Sequence, residues 1–497
     1  MGKGAEVLFV ALPASPHYLP PSGIKRFFGN ISLVVLLNLL VKPGWVVVEN
    51  LVQDRLGHAA YGTFAALLAL TTVLALLSDL GLTHSTVKRL ASEPAYLGEA
   101  FPTVLPLRLG LNLLALVIME GVGLALGYRG EALGLLAAIG GSLLLTQYAQ
   151  FLRGPLQAQQ RFNTDALLSV LEKALLLGVV LALLPLGLSL ERYVGARLTV
   201  AAFTAVLIYG LLMRLYGWVR YRWQWSVARA ALVDSLPFAL ITLLYGVNER
   251  IDMIMLERLA SPTEAGYYAG AYRWVDAVMM YIWTIMPLFF ARFAAAIDDP
   301  QEQAALLQFG QRVVAVPMLL VCAFGLFQGK ALFWQFQHSA PAEVQRMALC
   351  VGILFLNVLV HSLFAVYGAL LNSTNHVRAV SRLVVASIVL NVGLNVVLLP
   401  RFGAVAAAVD TLLSALLVSG GYLWLLWRRT KVAVPWGLLG RLLAAFALLC
   451  LGWYGLQQLD LPMSWLTESA LMGVALAGLV VLLGIVRVAE LRRLWPR

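Results

Sequence analysis

Apolar stretches recur along the whole chain, and each is about as long as the hydrocarbon core of a bilayer is thick. A membrane-spanning helix needs about 20 predominantly apolar residues, and about fourteen such stretches can be placed. They lie at roughly 29–52, 60–82, 104–127, 130–152, 166–188, 195–218, 233–259, 264–292, 309–330, 346–371, 380–399, 403–427, 437–457 and 467–488. The pattern predicts an all-α polytopic membrane protein with about fourteen transmembrane helices.

Composition and charge agree with this prediction. Hydrophobic residues make up 61% of the chain and charged residues only 12%, about half the charged fraction of a soluble domain. A net charge of +11 would suggest nucleic-acid binding in a soluble protein. Here the basic residues, such as Lys88, Arg89 and Arg429, concentrate in alternate short connectors. This asymmetry predicts that both termini are cytoplasmic, and it leaves no role for nucleic acid.

Short matching segments recur about 214 residues apart, which is typical of an internal duplication. Gly154-Pro155-Leu156 matches Gly368-Ala369-Leu370, and Tyr61-Gly62 matches Gly266-Tyr267-Tyr268 in the same order. A repeat of six spans predicts two pseudo-symmetric lobes that enter the membrane from the same side. Such lobes are related by an axis along the membrane normal, and a substrate site is then expected between them.

The duplication predicts four regions in the chain. They are a cytoplasmic tail with an amphipathic end at 1–28, an N-lobe of six spans at 29–229, a C-lobe of six spans at 230–430, and a final pair of spans with a cytoplasmic tail at 431–497. The connectors are all too short to form a folded domain. The longest, at about 82–104 and 293–308, has room for a short interfacial helix at most.

The seventh span contains the polar run Asn248-Glu249-Arg250-Ile251-Asp252. A charge at membrane depth costs about 2.5–3.5 kcal/mol on insertion scales, so these groups are expected to face protein or a hydrated cavity. Asn248, Glu249 and Asp252 share one helical stripe, whereas Arg250 projects at least about 100° away from it. We therefore expect Arg250 and Asp252 to contact different partners.

Further charges lie deep in other spans. Lys42 stands beside Pro43 and Gly44 in the first span, where the helix is expected to break. Candidates for a cationic cavity are Lys42, Arg108, Arg250 and Arg273. Candidate ion-coupling or structural carboxylates are Glu249, Asp252, Asp276 and Asp410. For Arg250 and Asp252 the alternatives are a structural ion pair to a neighbouring helix and an exit into the outer headgroup layer. For Arg273 and Asp276 the alternative is an ion pair within their own helix, and for the other deep charges it is a packing contact between helices.

Several chemistries find no support in the sequence. There is no Gly-x-x-x-x-Gly-Lys-Ser/Thr phosphate loop, no His-Glu-x-x-His and no Cys-x-x-Cys, and the six histidines are scattered. The three cysteines fall within apolar runs and imply no disulfide framework. We expect neither a resident metal nor a cofactor.

Five segments, in this order and spacing, resemble the bacterial polysaccharide flippase family. They are Tyr61-Gly62-Thr63-Phe64, Ser78-Asp79-Leu80-Gly81-Leu82, Arg250-Ile251-Asp252-Met253-Ile254-Met255-Leu256, Glu264-Ala265-Gly266-Tyr267-Tyr268-Ala269 and Pro400-Arg401-Phe402-Gly403. The resemblance covers about residues 29–430. That family belongs to the MOP superfamily, together with multidrug and toxin extrusion (MATE) transporters and lipid II flippases.

The resemblance implies a flippase, not an enzyme, in the bacterial inner membrane. Its substrate would be an undecaprenyl-pyrophosphate-linked oligosaccharide, such as an O-antigen, capsule or exopolysaccharide repeat unit. The four basic candidates would meet the diphosphate, and the carboxylates would bind a coupling proton or sodium ion or position the arginines. The resemblance further implies a monomer, with glycan polymerase and export machinery as potential partners.

Two other functions remain as alternatives. A MATE-like, ion-coupled antiporter of drugs or small molecules would have an acidic, aromatic-lined cavity and twelve helices. A glycan polymerase or ligase would have a sizeable outer loop, which the short outer connectors disfavour.

Overall fold

A computed structural model describes residues 44–93, 95–217, 221–374, 376–459 and 461–486 of the chain. Within these ranges the chain is helical throughout, apart from turns and short connectors. The helices are α1 (described over 44–56), α2 (His58–Asp79), α3 (Leu82–Ser92), α4 (Tyr96–Glu99), α5 (Phe101–Ala125), α6 (Glu131–Leu152), α7 (Gly154–Ala158), α8 (Phe162–Leu183), α9 (Leu190–Tyr216), α10 (Trp225–Leu259), α11 (Pro262–Ala295), α12 (Pro300–Gln328), α13 (Pro341–Ser373), α14 (Val377–Phe402), α15 (Ala404–Arg429), α16 (Trp436–Gln458) and α17 (Trp465–Leu482). Two 3₁₀ turns lie at Leu184–Leu186 and Gly329–Phe333.

Twelve helices in the described part of the chain are long and apolar enough to cross a membrane. Two predicted spans fall outside these twelve. The first is described only from residue 44 onward, as α1, and the seventh corresponds to the 35-residue helix α10. At about 1.5 Å per residue, α10 is about 52 Å long and exceeds the thickness of a bilayer. The prediction of an all-helical, multi-pass membrane protein is confirmed.

The predicted boundaries differ most where polar residues extend a helix beyond the apolar core. The ninth span was expected at 309–330, but α12 begins at Pro300, where the Asp299 side chain accepts hydrogen bonds from two backbone N–H groups of the first turn. Such a cap lets a helix start well outside the hydrocarbon region. The 82–104 connector holds two short helices, α3 and α4, where the sequence predicted room for one at most.

The long helices form two groups that meet along α2, α10 and α11. In the first group α2 packs on α5 and α6, and α6 packs on α9. In the second, α13 packs on α11, α12 and α15, and α14 packs on α10 and α15. We keep the names N-lobe and C-lobe for the proposed regions 29–229 and 230–430. Helices α16 and α17 pack on α12.

Helices α2 and α11 approach most closely where both begin, on the predicted outer face. A Cβ atom on Gly62 would lie 1.8 Å from the carbonyl oxygen of Pro262, and one on Gly266 would lie 2.1 Å from that of His58. Each glycine thus faces the carbonyl four residues before the other glycine. This reciprocal contact supports the proposed pseudo-symmetry, and only glycine permits such a close approach of two helices.

Candidate functional site

Arg250 of α10 and Asp276 of α11 form an ion pair between these two helices. Arg250 Nη2 lies 3.3 Å from Asp276 Oδ2, and both side chains are about one third exposed, at 30% and 37%. The Arg250 guanidinium also lies 5.6 Å from the centre of the Tyr272 ring. Asp276 therefore pairs with Arg250 of the neighbouring helix α10. Among the described residues it forms no ion pair with Arg273 of its own helix, which was the alternative.

Arg273 of α11 reaches across to the N-lobe. Its Nη1 donates to Asn50 Oδ1, and its Nη2 donates to Gln53 Oε1 at 3.1 Å. The guanidinium stacks 4.9 Å from the centre of the Tyr61 ring. These hydrogen-bond partners are neutral, and the Asp276 carboxylate lies within electrostatic range of Arg273 but forms no ion pair with it among the described residues. The positive charge of Arg273 is therefore only partly compensated, and a guanidinium can bind phosphate through two parallel hydrogen bonds.

Arg108 has a different environment, because it binds two groups at the C-terminal end of α2. It is 1% exposed, its Nη1 lies 3.1 Å from Asp79 Oδ1, and it donates to the Ser78 carbonyl oxygen. The chain then turns sharply into α3 through Leu80 and Gly81, which both have positive φ. Arg108 is thus a neutralised, structural residue in this arrangement.

Two buried carboxylates lie side by side in the C-lobe. Asp252 of α10 is 3% exposed, and its Oδ2 accepts hydrogen bonds from Tyr268 Oη at 3.0 Å and Thr411 Oγ1 at 2.8 Å. Asp410 of α15 is fully buried within electrostatic range of Asp252, and neither of its oxygens has a hydrogen-bond partner among the described residues. Other buried polar residues on α14 and α15 are Ser387, Asn391, Asn395, Ser414 and Ser419. Two carboxylates in so apolar a setting cannot both stay charged without a proton or a cation.

The helical geometry correctly predicted that Arg250 and Asp252 contact different partners. Arg250 pairs with Asp276, and Asp252 bonds to Tyr268. Three residues of the predicted site are not placed: Lys42 lies outside the described residues, and so do the side chains of Asn248 and Glu249. The roles assigned to them remain predictions.

A buried polar cluster in the N-lobe was not predicted from the sequence. Glu49 of α1 accepts hydrogen bonds from Tyr61 Oη and Tyr193 Oη, both at 2.5 Å, and its Oε1 lies 3.2 Å from Arg197 Nη1. Glu49 and Arg197 each lie near the end of a predicted span, where charges usually reach the lipid headgroups. The one sequence signal for the burial of Glu49 and Arg197 is that each lies within an apolar run. In the structure, the Arg197 guanidinium neutralises the Glu49 carboxylate.

The lobes are also joined at the predicted outer face. Tyr128, between α5 and α6, donates to Glu257 Oε2 of α10 at 3.0 Å, and the Arg258 guanidinium stacks 3.5 Å from the Tyr128 ring centre. Burial, together with the nearby Glu257 carboxylate, raises the pKa of Tyr128 to about 12, so the hydroxyl remains a donor. The side-chain amide of Asn50 lies 3.3 Å from that of Gln335 on the connector between α12 and α13. These contacts close the bundle on this side.

Comparison with known proteins places the chain in a family. The model of the family described as polysaccharide biosynthesis protein matches residues 28–290, more than half of the chain. The probable low-salt glycan biosynthesis flippase Agl15 of Haloferax volcanii is 23% identical over 407 residues, which cover 80% of this chain and 81% of that protein.

Solved structures share the fold at low sequence identity. The lipid II flippase MurJ in an inward closed conformation has a TM-score of 0.70 at 11% identity and covers 89% of this chain and 96% of its own. An inward-facing MATE family multidrug resistance transporter has a TM-score of 0.61 at 16% identity, with 76% and 92% covered. Both are transporters and not enzymes, in agreement with the sequence-based interpretation. The chain belongs to the polysaccharide biosynthesis protein family and has the fold of the MOP superfamily.

Proposed function

We propose that this chain is a flippase that moves an undecaprenyl-pyrophosphate-linked oligosaccharide across the membrane by alternating access. Membership of the polysaccharide biosynthesis protein family supports a glycan substrate. The similarity to a probable glycan flippase supports the flipping of a lipid-linked glycan. In this proposal the sugar and diphosphate cross between the N-lobe and the C-lobe, while the lipid tail stays in the bilayer.

The lack of an ion pair at Arg273 among the described residues is the observation that carries the proposal. Among the placed basic candidates, Arg108 and Arg250 already have carboxylate partners, whereas Arg273 bonds to two amides and a ring. A diphosphate offers charged oxygens in place of those neutral acceptors, and charge-assisted bonds are about twice as strong. Among the basic candidates, Arg273 is therefore the one we expect to contact the diphosphate first. Arg250 could do so only after its ion pair with Asp276 breaks.

The test is leaflet-resolved measurement of the lipid-linked sugar in a deletion strain that carries plasmid copies of the gene. The wild-type gene should restore outer-leaflet sugar, and Arg273→Gln should lower the restored rate by about tenfold to a hundredfold, the loss of one or two charge-assisted hydrogen bonds. The matched control is Arg292→Gln, an exposed position near the far end of the same helix. Unchanged export by Arg273→Gln at normal protein level would contradict the assignment.

The buried carboxylates support coupling of transport to an ion. Asp252 and Asp410 lie together in a site whose other polar groups are hydroxyls and amides. Such an oxygen-rich site suits a proton or a hard monovalent cation. We assign ion binding to Asp252 of α10 and Asp410 of α15, and the anion contact to Arg273 of α11. The two proposed sites therefore use charged residues of different helices.

The same carboxylates also favour the second candidate, an ion-coupled antiporter of small molecules, since an antiporter needs an ion site of this kind. The two functions differ in their cargo, so the deletion strain separates them. An antiporter would leave the lipid-linked sugar in its normal leaflet distribution, while the export of cationic dyes would fall.

A further inference from the structure

Among the described residues, every hydrogen bond of the Arg273 guanidinium crosses between the proposed lobes. Arg273 belongs to α11 of the C-lobe, whereas its acceptors Asn50 and Gln53 belong to α1 of the N-lobe. The ring on which the guanidinium stacks, that of Tyr61, belongs to α2 of the N-lobe as well. Arg273 is therefore a contact between the lobes as well as a candidate for binding the cargo.

The N-lobe side of this contact is held in place by other N-lobe residues. Tyr61 Oη donates to Glu49 Oε2 at 2.5 Å, and Glu49 pairs with Arg197 of α9 at 3.2 Å. Asn50 follows Glu49 directly on α1 and is fully buried. These groups keep their positions through contacts that do not involve Arg273, so the N-lobe offers it a fixed set of neutral partners.

A ligand can reach Arg273 more easily than it can reach those partners. The Arg273 side chain is partly exposed, whereas Asn50 and Gln53 are fully buried. The carboxylate within electrostatic range of Arg273 is that of Asp276, and it is paired with Arg250. This pairing limits the repulsion that Asp276 exerts on an anion at Arg273.

We propose that Arg273 is an anion-operated switch: a diphosphate that binds its guanidinium displaces the α1 amides and releases the lobes at the outer face. Nη1 and Nη2, the two nitrogens that grip a phosphate end-on, now donate to Asn50 and Gln53. Hydrogen bonds from a guanidinium to phosphate oxygens are about twice as strong as those between neutral groups. A diphosphate that takes these two donors therefore replaces weaker bonds that join the lobes with stronger bonds that do not.

This inference rests on the proposed function, because it assigns regulation to the same diphosphate contact. The empty protein stays closed at the outer face, and cargo that enters from the inner leaflet triggers opening on the other side. Once the cargo has left, Arg273 returns to the α1 amides and the lobes close. Coupling of this kind is reciprocal, so a change that weakens the contact with α1 must strengthen the binding of the diphosphate.

The test measures lobe separation in the full-length protein in nanodiscs of phosphatidylcholine. Spin labels at Ala59→Cys and Ala342→Cys, two exposed positions on opposite lobes, report the distance by double electron–electron resonance; Cys450→Ser removes the partly exposed native thiol. Undecaprenyl diphosphate should lower the closed-to-open ratio by about tenfold, within the range typical of coupling between two sites. Undecaprenol, which has the same chain and no phosphate, should leave the ratio unchanged.

Variants of the two partners separate a switch from a structural contact. Asn50→Ala removes one acceptor, so it should lower the closed-to-open ratio without lipid and raise the affinity for undecaprenyl diphosphate by a similar factor, measured by native mass spectrometry. Asn50→Asp keeps the shape and gives Arg273 a charged partner, so it should change both quantities in the opposite direction. Arg273→Gln should respond equally to the two lipids, whereas the exposed Arg292→Gln should behave like the wild type.

Three results would overturn the proposal: equal opening by undecaprenol, a larger response of Arg273→Gln to undecaprenyl diphosphate than to undecaprenol, or weaker binding of this diphosphate by Asn50→Ala. The deletion strain distinguishes failure of the switch from failure of the proposed function. Loss of export in Arg273→Gln, with no opening of the wild type by the diphosphate, refutes the switch and supports the flippase. Opening by the diphosphate in a protein whose gene does not restore outer-leaflet sugar supports the switch and refutes the flippase.

Discussion

Arg108 and Arg273 look alike in the sequence, since each is an arginine deep in an apolar span. The structure separates them by their partners. Arg108 is almost fully buried against Asp79 and the end of α2, whereas Arg273 bonds across the lobes to neutral groups. A buried charge with a carboxylate partner is part of the scaffold, and a charge with only neutral partners can exchange them for an anion.

We expect Arg108→Ala to lower the free energy of unfolding by about 3 kcal/mol, because it leaves Asp79 and the Ser78 carbonyl without their buried partner. The measurement is denaturant or thermal unfolding of the purified protein. The double variant with Asp79→Ala should recover part of the loss, and the exposed Arg292→Ala should cost less than about 0.5 kcal/mol. Wild-type stability in Arg108→Ala would show that the pair does not hold α2.

Asp410 is a buried carboxylate whose oxygens have no hydrogen-bond partner among the described residues. We expect a bound cation at 100 times its dissociation constant to stabilise the wild-type protein by about 2.7 kcal/mol, measured as a rise in Tm when sodium replaces choline or when pH is lowered. Asp410→Asn should lose this response without loss of stability, because it removes a buried charge whose oxygens have no partner among the described residues. Asp299→Asn, at the exposed cap of α12, should respond like the wild type. An equal response in Asp410→Asn would place the ion elsewhere.

At the scale of elements, the contact between α2 and α11 depends on two glycines. Their spacing and reciprocal geometry bring two helix ends within backbone contact at the predicted outer face. The same helices carry Tyr61 and Arg273, so the close approach also sets the distance across which Arg273 reaches the N-lobe. Small residues allow this because, in lipid, helices associate through close packing and not through the hydrophobic effect.

We expect Gly62→Leu to force α2 and α11 apart, because even a Cβ atom would overlap the Pro262 carbonyl oxygen. Overpacking of this kind costs typically 1–3 kcal/mol, enough to lower the closed-to-open ratio at the outer face by about tenfold. The spin-label distance between positions 59 and 342 measures this directly. Gly110→Leu on α5 is the control, since a side chain there meets open space. An unchanged distance in Gly62→Leu would show that the glycines do not control closure.

For the whole molecule, the proposed alternating access requires the two lobes to separate where their outer ends are joined. A cross-link between the lobes tests this. The short side chains of Asp54 and Ser339 lie 3.4 Å apart across the interface, so the double variant Asp54→Cys/Ser339→Cys should form a disulfide on oxidation. Sugar export should then stop, and a reductant should restore it. The two single variants should be insensitive to the oxidant, and export by the fully cross-linked protein would contradict alternating access.

Several features of the fold could be predicted because they depend on local composition. Runs of about 20 apolar residues specify membrane helices, since the backbone must satisfy its own hydrogen bonds in lipid. The helical turn of 100° per residue was enough to separate Arg250 from Asp252. Neither argument needs to know which helices are neighbours.

The partners of the deep charges could not be predicted, because each partner lies on another helix. Arg273 donates hydrogen bonds to neutral residues of α1, more than 200 positions away in the chain, and Asp410 comes within electrostatic range of Asp252 only when α15 packs beside α10. The sequence by itself determined a helical membrane protein with charges that had to avoid lipid. Tertiary packing decided which of those charges are neutralised and which remain available, because neutralisation depends on distances of a few ångströms between helices that are far apart in sequence.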